Sequence, residues 1–411
     1  MNRIVFILIA FVLCLPANAQ AVAAEPAGLA HSSVTTMETA AESTTEAAKP
    51  EEPDRLADDF VKVSLVIAEP GDVLYSILGH ACLHLQCPYY DLDYIYSYES
   101  EEVRGRVGRF LLNDLKMSLY AIPIDEYLAD YAAEGRGVKE YTVNLSPDVK
   151  QRLWQVMDET MMRDQNLPYD CVTRGCAIST FHFLQKALGD IQMEFPVWDK
   201  SFDRTLREVF YDNAPKGWQL FYDMTLVGGV VDNPNLPKTE KLIAPRFLLS
   251  TLQQTTVEGK QLVSEEAHEL LPIVNEYKGD RFTPLHASLS ILFLAIGSLF
   301  WSRPYIDWAI LALQTLLGLL MVWLFFLPMA GTGWSWLIIP FNPLPALFWH
   351  WRRYWALPYA VLLLAWIIGM LCAPHRLVEY AHIIGVFAFV LVLLKQGWYI
   401  GKINVKKSIE K

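Results

Sequence analysis

A chain of 411 residues that is 53% hydrophobic and only 19% charged is too apolar for an ordinary soluble domain, in which about 25% carry charge. Its net charge of −11 argues against a nucleic-acid partner, because phosphate binding asks for a basic stripe. The apolar excess lies almost entirely after Phe282 and the acidic residues before it, so the average conceals two unlike regions.

At the N-terminus, Arg3, the apolar run Ile4 to Leu15 and the small-x-small triplet Ala17-Asn18-Ala19 read as a secretory signal peptide over residues 1–19. Cys14 lies outside a good lipobox, since Leu15 follows it. Residues 20–55 are Ala, Thr, Glu, Ser and Pro without periodicity. Such a segment cannot bury enough apolar surface to offset chain entropy, and reads as a disordered linker.

Residues 56–281 then form an exported domain. Val61–Ala68, His80–Gln86, Asp93–Tyr98, Met117–Ile122 and Val138–Asn144 have the composition of strands. A turn at Glu69-Pro70-Gly71-Asp72 opens a short helix to Leu78. Ser146-Pro147 starts a helix that runs to about Arg163, and a second runs from Cys176 to about Leu188. Small strands followed by helices predict an α+β domain.

Four cysteines fall in this domain: Cys82, Cys87, Cys171 and Cys176. In an oxidising compartment they admit two disulfides. Cys176 has a second reading. It follows Arg174-Gly175 where a helix begins, and free amides and the helix dipole there lower a thiol pKa. His80, after Gly79 at the head of a strand, is the natural partner for such a nucleophile. His80, Cys82 and His84 share one strand face near Cys87, but without tetrahedral spacing elsewhere they predict no zinc site, and no cofactor is called for.

Residues 282–400 contain five apolar runs, Pro284–Trp301, Tyr305–Leu327, Trp334–Trp349, Trp355–Ala373 and Val378–Leu394, near the roughly 20 residues that span a bilayer. Pro340, Pro343 and Pro345 interrupt the third, which reads as a broken or re-entrant helix. With the exported domain outside, five crossings put Arg303, Arg352, Arg353 and the 401–411 tail with Lys402, Lys406 and Lys407 inside, as the positive-inside rule asks. Trp301, Trp334, Trp336, Trp349, Trp351 and Trp355 fall near span ends. No buried charge pair is apparent, which argues against a transporter.

Four segments in order, EPGDVLYSILGHACLHL (Glu69–Leu85), DLDYIYSYES (Asp91–Ser100), YAAEGRGVKEYTVNLSPDVKQRL (Tyr131–Leu153) and YDCVTRGCAISTFHFLQKAL (Tyr169–Leu188), resemble the periplasmic domain of the Bacteroides-type lipoprotein N-acyltransferases, the Lnb family. Residues 206–250 are similar to its later part, with Gly228-Gly229 and the APRFLL stretch. The resemblance implies a permuted papain-like domain, with histidine before cysteine, followed by five membrane helices. It places the family's Gly-His motif on Gly79-His80 and its Asn-Cys motif on Gly175-Cys176, where this chain has glycine in place of asparagine. Its aspartate before the tyrosine-rich strand falls on Asp93, which reads as an orienter of His80 or as a solvated strand-start residue. Its Glu-Gly-Arg segment falls on Glu134-Gly135-Arg136, where Arg136 reads as a ligand for a lipid phosphate or as part of a structural ion pair. Cys82, Cys87 and Cys171 have no counterpart in it, and a disulfide among them would leave Cys176 free.

The implied activity is lipoprotein N-acylation at the bacterial inner membrane. A phospholipid would give an acyl chain to Cys176, and a diacylated lipoprotein would accept it on its N-terminal amine. A membrane-anchored thiol hydrolase and a non-catalytic membrane receptor or assembly factor are the alternative readings.

Overall fold

The computed structural model describes residues 54–409 except 56, 101–108, 110–111, 113, 171, 197–202, 302–303 and 328–330. The expected signal peptide, the expected linker as far as residue 53, Cys171 and Arg303 therefore lie outside the described residues.

The exported domain is built on a seven-stranded antiparallel sheet. Its strands are β1 (Lys62–Ala68), β2 (His80–Cys87), β3 (Leu92–Ser100), β4 (Lys116–Pro123), β5 (Val138–Thr142), β6 (Leu167–Pro168) and β10 (His268–Leu271), in the order β10-β5-β1-β2-β3-β4-β6. A smaller sheet joins β7 (Met193–Glu194), β8 (Thr256–Val257) and β9 (Lys260–Gln261). Helices α1 (Ile124–Glu134), α2 (Pro147–Arg163), α3 (Cys176–Leu188), α4 (Leu206–Asn213), α5 (Trp218–Leu226) and α6 (Pro245–Gln253) complete the domain, which is α+β as expected.

Strand alternation assigns the two faces of the sheet. Leu65, Leu83, Leu85 and Leu119 point into one core with Leu153, Met157, Ile178 and Phe181 of α2 and α3. Val66, Ala68, Cys82, Ile95 and Val138 point the other way, against Tyr127 of α1. Burial on both faces is why the β1 sequence is apolar almost throughout rather than alternating. The short helix expected after Asp72 is a single 3-10 turn, Leu74–Ser76. Helix α2 starts at Pro147 as expected, yet Ser146 donates to the Asp148 carboxylate, 2.7 Å away, instead of capping the helix.

The C-terminal region does not confirm the five membrane helices expected. Among the described residues three helices are long and apolar enough to span: α8 (Tyr305–Phe326), α10 (Arg352–Cys372) and the start of α11 (Tyr380–Ile409). Helix α7 (Pro284–Leu299) is apolar but shorter. The third apolar run is no continuous helix: it breaks into two 3-10 turns, Trp336–Ile338 and Trp349–Trp351, around the four-residue α9 (Leu344–Leu347). Prolines 340, 343 and 345 remove the donors a continuous helix would need there.

Neighbouring helices close the resulting gaps. Gln314 of α8 donates to the Pro340 and Asn342 carbonyls at 2.9 and 2.7 Å. From α10, Tyr359 donates to Ile339 O at 2.8 Å, and Trp366 Nε1 to Trp336 O at 3.0 Å. Irregular backbone at membrane depth survives only with such partners. A correction concerns charge. Asp307 and Lys395, both buried, form an ion pair of 3.0 Å between α8 and α11, with Gln396 donating to the same carboxylate. Their 88-residue separation hid the pair from a reading by local pattern.

The exported domain is seated on one end of this bundle. The Gly228 and Gly229 amides donate to Gly331 O and Trp334 O at 2.8 and 2.7 Å. Glu208 accepts from the Arg376 amide and from His375, and His382 meets Thr225 Oγ1 at 2.8 Å.

Candidate active site

Gly79 makes the turn into β2 with φ of +86°, and a Cβ there would stand 2.4 Å from Ala68 O. Only glycine suits that position, and it delivers His80 to the first register position of β2, opposite Ala68 of β1. From the other side of the sequence, α3 begins at Cys176 behind Gly175, whose φ of −58° is ordinary and which gives no side-chain cap. The first amides of α3 are therefore open. The Cys176 thiol lies near enough to the His80 ring and to the backbone amides of Ala81 and Ala177 for all three to act on its ionisation.

Donor counting fixes the histidine. His80 Nε2 lies 2.6 Å from Ser97 Oγ, and that hydroxyl donates its one proton to Glu99 Oε1 at 2.7 Å. Ser97 must then accept from Nε2–H. In the neutral ring the other nitrogen, Nδ1, is then left as the acceptor. Burial alone would raise the Cys176 pKa, but the His80 charge and hydrogen bond and the two amides bring it below the ordinary thiol value. Burial opposes charge on His80 as well, and the Cys176 thiolate and the Glu99 carboxylate outweigh it, so the imidazole pKa is raised. The pair is thus biased toward thiolate and imidazolium.

Other expected residues stand elsewhere. Asp93 does not meet His80: its carboxylate accepts from His84 Nε2 at 2.5 Å and from Gln86. His84 Nδ1 is held by Glu140 at 2.8 Å, and Glu140 also binds His268. Both His84 nitrogens are spent on carboxylates, so this chain of side chains ties β3, β2, β5 and β10 together. The groups at His80 are Ser97 and Glu99, which a reading by motif passed over. The β2–β3 register carried the signal, since Leu83 opposes Tyr96 and three more steps bring Glu99 alongside His80.

Cys82 and Cys87 are free and buried, as Cys176 is free, so the disulfide expected among the other cysteines does not involve them. On opposite faces of β2 they cannot reach one another. Cys82 donates to Tyr127 Oη at 3.4 Å, and burial pushes its thiol far above the ordinary value. Arg136 is buried beside this site. Its Nε donates to Glu69 O, its Nη1 to Glu134 at 2.9 Å, and its guanidinium lies 4.6 Å over the Tyr131 ring. Arg246 pairs with the Glu69 carboxylate, so the start of the loop leading to His80 is held twice. Arg136 Nη2 is buried without a partner. Among the described residues no group of His, Cys, Asp and Glu has the geometry of a metal site.

Residues 54–207, which contain every residue of this site, match a family model described as the Lnb N-terminal periplasmic domain. No curated protein and no solved structure matches the chain. With the apolar helices that follow, the match suggests a membrane protein with a periplasmic N-terminal domain, and an enzyme of the kind that modifies lipoproteins.

Proposed function

Starting from the membership of residues 54–207 in the Lnb periplasmic domain family, we propose that this chain is a lipoprotein N-acyltransferase. One observation carries the reading: a half-buried thiol at a helix N-terminus, beside a histidine that Ser97 and Glu99 hold, in a domain seated directly on apolar helices. Such an enzyme draws both substrates from the bilayer and needs its nucleophile at the membrane surface.

In the first half-reaction the Cys176 thiolate attacks an ester carbonyl of a phospholipid. The C–S bond forms as the C–O bond breaks, and the His80 imidazolium protonates the departing glycerol oxygen. The open amides at the first turn of α3 receive the oxyanion. In the second half the N-terminal amine of a diacylated lipoprotein attacks the thioester, His80 takes the amine proton, and the thiolate leaves. Ser97 and Glu99 keep His80 in the tautomer this cycle requires and stabilise its charged form. Arg136, with Nη2 free, is the substrate-binding candidate for the lipid phosphate.

The same reading assigns the topology. The bundle end that touches the exported domain lies outside, so the end bearing Arg352, Lys395 and the C-terminal tail lies in the cytoplasm at the inner membrane. To test the function, the chain is expressed in cells depleted of their own lipoprotein N-acyltransferase, and a reporter lipoprotein is read by mass spectrometry. An added acyl chain is expected with the wild type and none with Cys176→Ser. Release of free fatty acid without lipoprotein acylation would replace this reading with a hydrolase.

A further inference from the structure

Where α10 ends and α11 begins, the chain carries a charged cluster that the chemistry at Cys176 does not use. Arg376 Nη1 and Glu379 Oε1 are buried, and neither has a hydrogen-bond partner. The Arg376 guanidinium lies 3.7 Å from the centre of the Tyr211 ring, and Lys216 Nζ lies 3.4 Å from the same centre. Glu379 is within electrostatic range of both cations. A buried donor and a buried acceptor left open in one place are costly, and each asks for a partner of the opposite kind.

Location narrows the partner. The Arg376 amide and His375 bind Glu208 of the exported domain, so the cluster sits at the seam between that domain and the bundle. Tyr380, the residue after Glu379, is 53% exposed and flanks Arg376 at 4.9 Å, so the cluster lies next to the molecular surface. A ligand here meets two cations and one carboxylate. A phosphate satisfies Arg376 Nη1 beside the charge of Lys216, whose Nζ also donates to Tyr211 O, and an ammonium with N–H groups satisfies Glu379.

We propose that Arg376, Lys216 and Glu379 form a binding site for the phosphoethanolamine headgroup of a membrane phospholipid. The phosphate accepts from Arg376 Nη1, with Lys216 on the same tyrosine adding positive charge, and the ammonium donates to Glu379 Oε1. A glycerol headgroup supplies no cation for the carboxylate. A choline headgroup supplies a cation without an N–H and leaves the same acceptor open. The site is independent of the acyl transfer proposed above and stands whether or not that reaction occurs.

The test is native mass spectrometry of the full-length protein in detergent, given equal amounts of dioleoyl phosphatidylethanolamine, phosphatidylglycerol and phosphatidylcholine. The wild type is expected to retain phosphatidylethanolamine about tenfold over the other two, the effect of one charge-assisted hydrogen bond. Glu379→Gln, which keeps the side-chain size, is expected to erase the preference while binding of phosphatidylglycerol persists. Lys216→Gln is expected to weaken retention of all three lipids. Equal retention by the wild type would overturn the site, as would an undiminished preference in Glu379→Gln. Displacement of the lipid by an equal concentration of soluble O-phosphoethanolamine would reassign the site to a free phosphoamine.

Discussion

The sheet and the bundle both bury polar side chains, and they use them differently. Between β2 and β3, His80, Ser97 and Glu99 are arranged so that one proton position is fixed and one ring nitrogen stays available. In the bundle, Gln314, Tyr359 and Trp366 spend their donors on the open carbonyls of the broken third segment. The first arrangement leaves one ring nitrogen without a bond to Ser97 or Glu99 beside a thiol, and the second uses its donors on backbone. A polar cluster built for chemistry thus differs from one built for structure in what it withholds from its own hydrogen bonding. Cys82 and Cys176 repeat the lesson as a pair: one thiol is sealed against Tyr127, the other lies at an open helix end.

That contrast can be tested by substitution. The largest effect is expected at the nucleophile: Cys176→Ser should lower acyl transfer by about 10³-fold or more with unchanged thermal stability, read by reporter acylation and a melting curve. In the bundle the order should reverse, with stability changing first. Asp307→Ala strands the buried Lys395 and is expected to cost about 3 kcal/mol, measured by unfolding in mixed detergent. Gln314→Leu opens two carbonyls and is expected to cost about 1–3 kcal/mol in the same assay.

A smaller effect, diagnostic in its direction, is expected at Glu99. The reactive pair exists above the lowered thiol pKa and below the raised imidazole pKa, so kcat/KM should follow a bell in pH. Glu99→Gln removes a charge that raises the His80 pKa. The alkaline limb should then move to lower pH, with a loss of about tenfold in rate at its former position; an unmoved limb would deny Glu99 its role. Least of all is expected from Cys82→Ala, whose thiol takes no part: it should cost stability of about 1–2 kcal/mol and leave acylation per folded molecule unchanged.

Much of this was legible in the sequence because it depends on local pattern. Strand alternation gave β1 to β5, the helix start gave α3 to the residue, and the Gly-His and Gly-Cys pairs named the two side chains proposed to react. Apolar run length located the membrane region, and three prolines marked its irregular pass. Tertiary structure alone decided what depends on distance across the fold. It put Asp93 on His84 and Glu99 by His80, because cross-strand register, not motif spacing, selects a histidine's partner. It left Cys82 and Cys87 unpaired because side chains five apart on a strand point to opposite faces. It joined Asp307 to Lys395 and closed the broken segment's carbonyls from two other helices, since burial makes an unpaired group costly and packing settles which partner it meets.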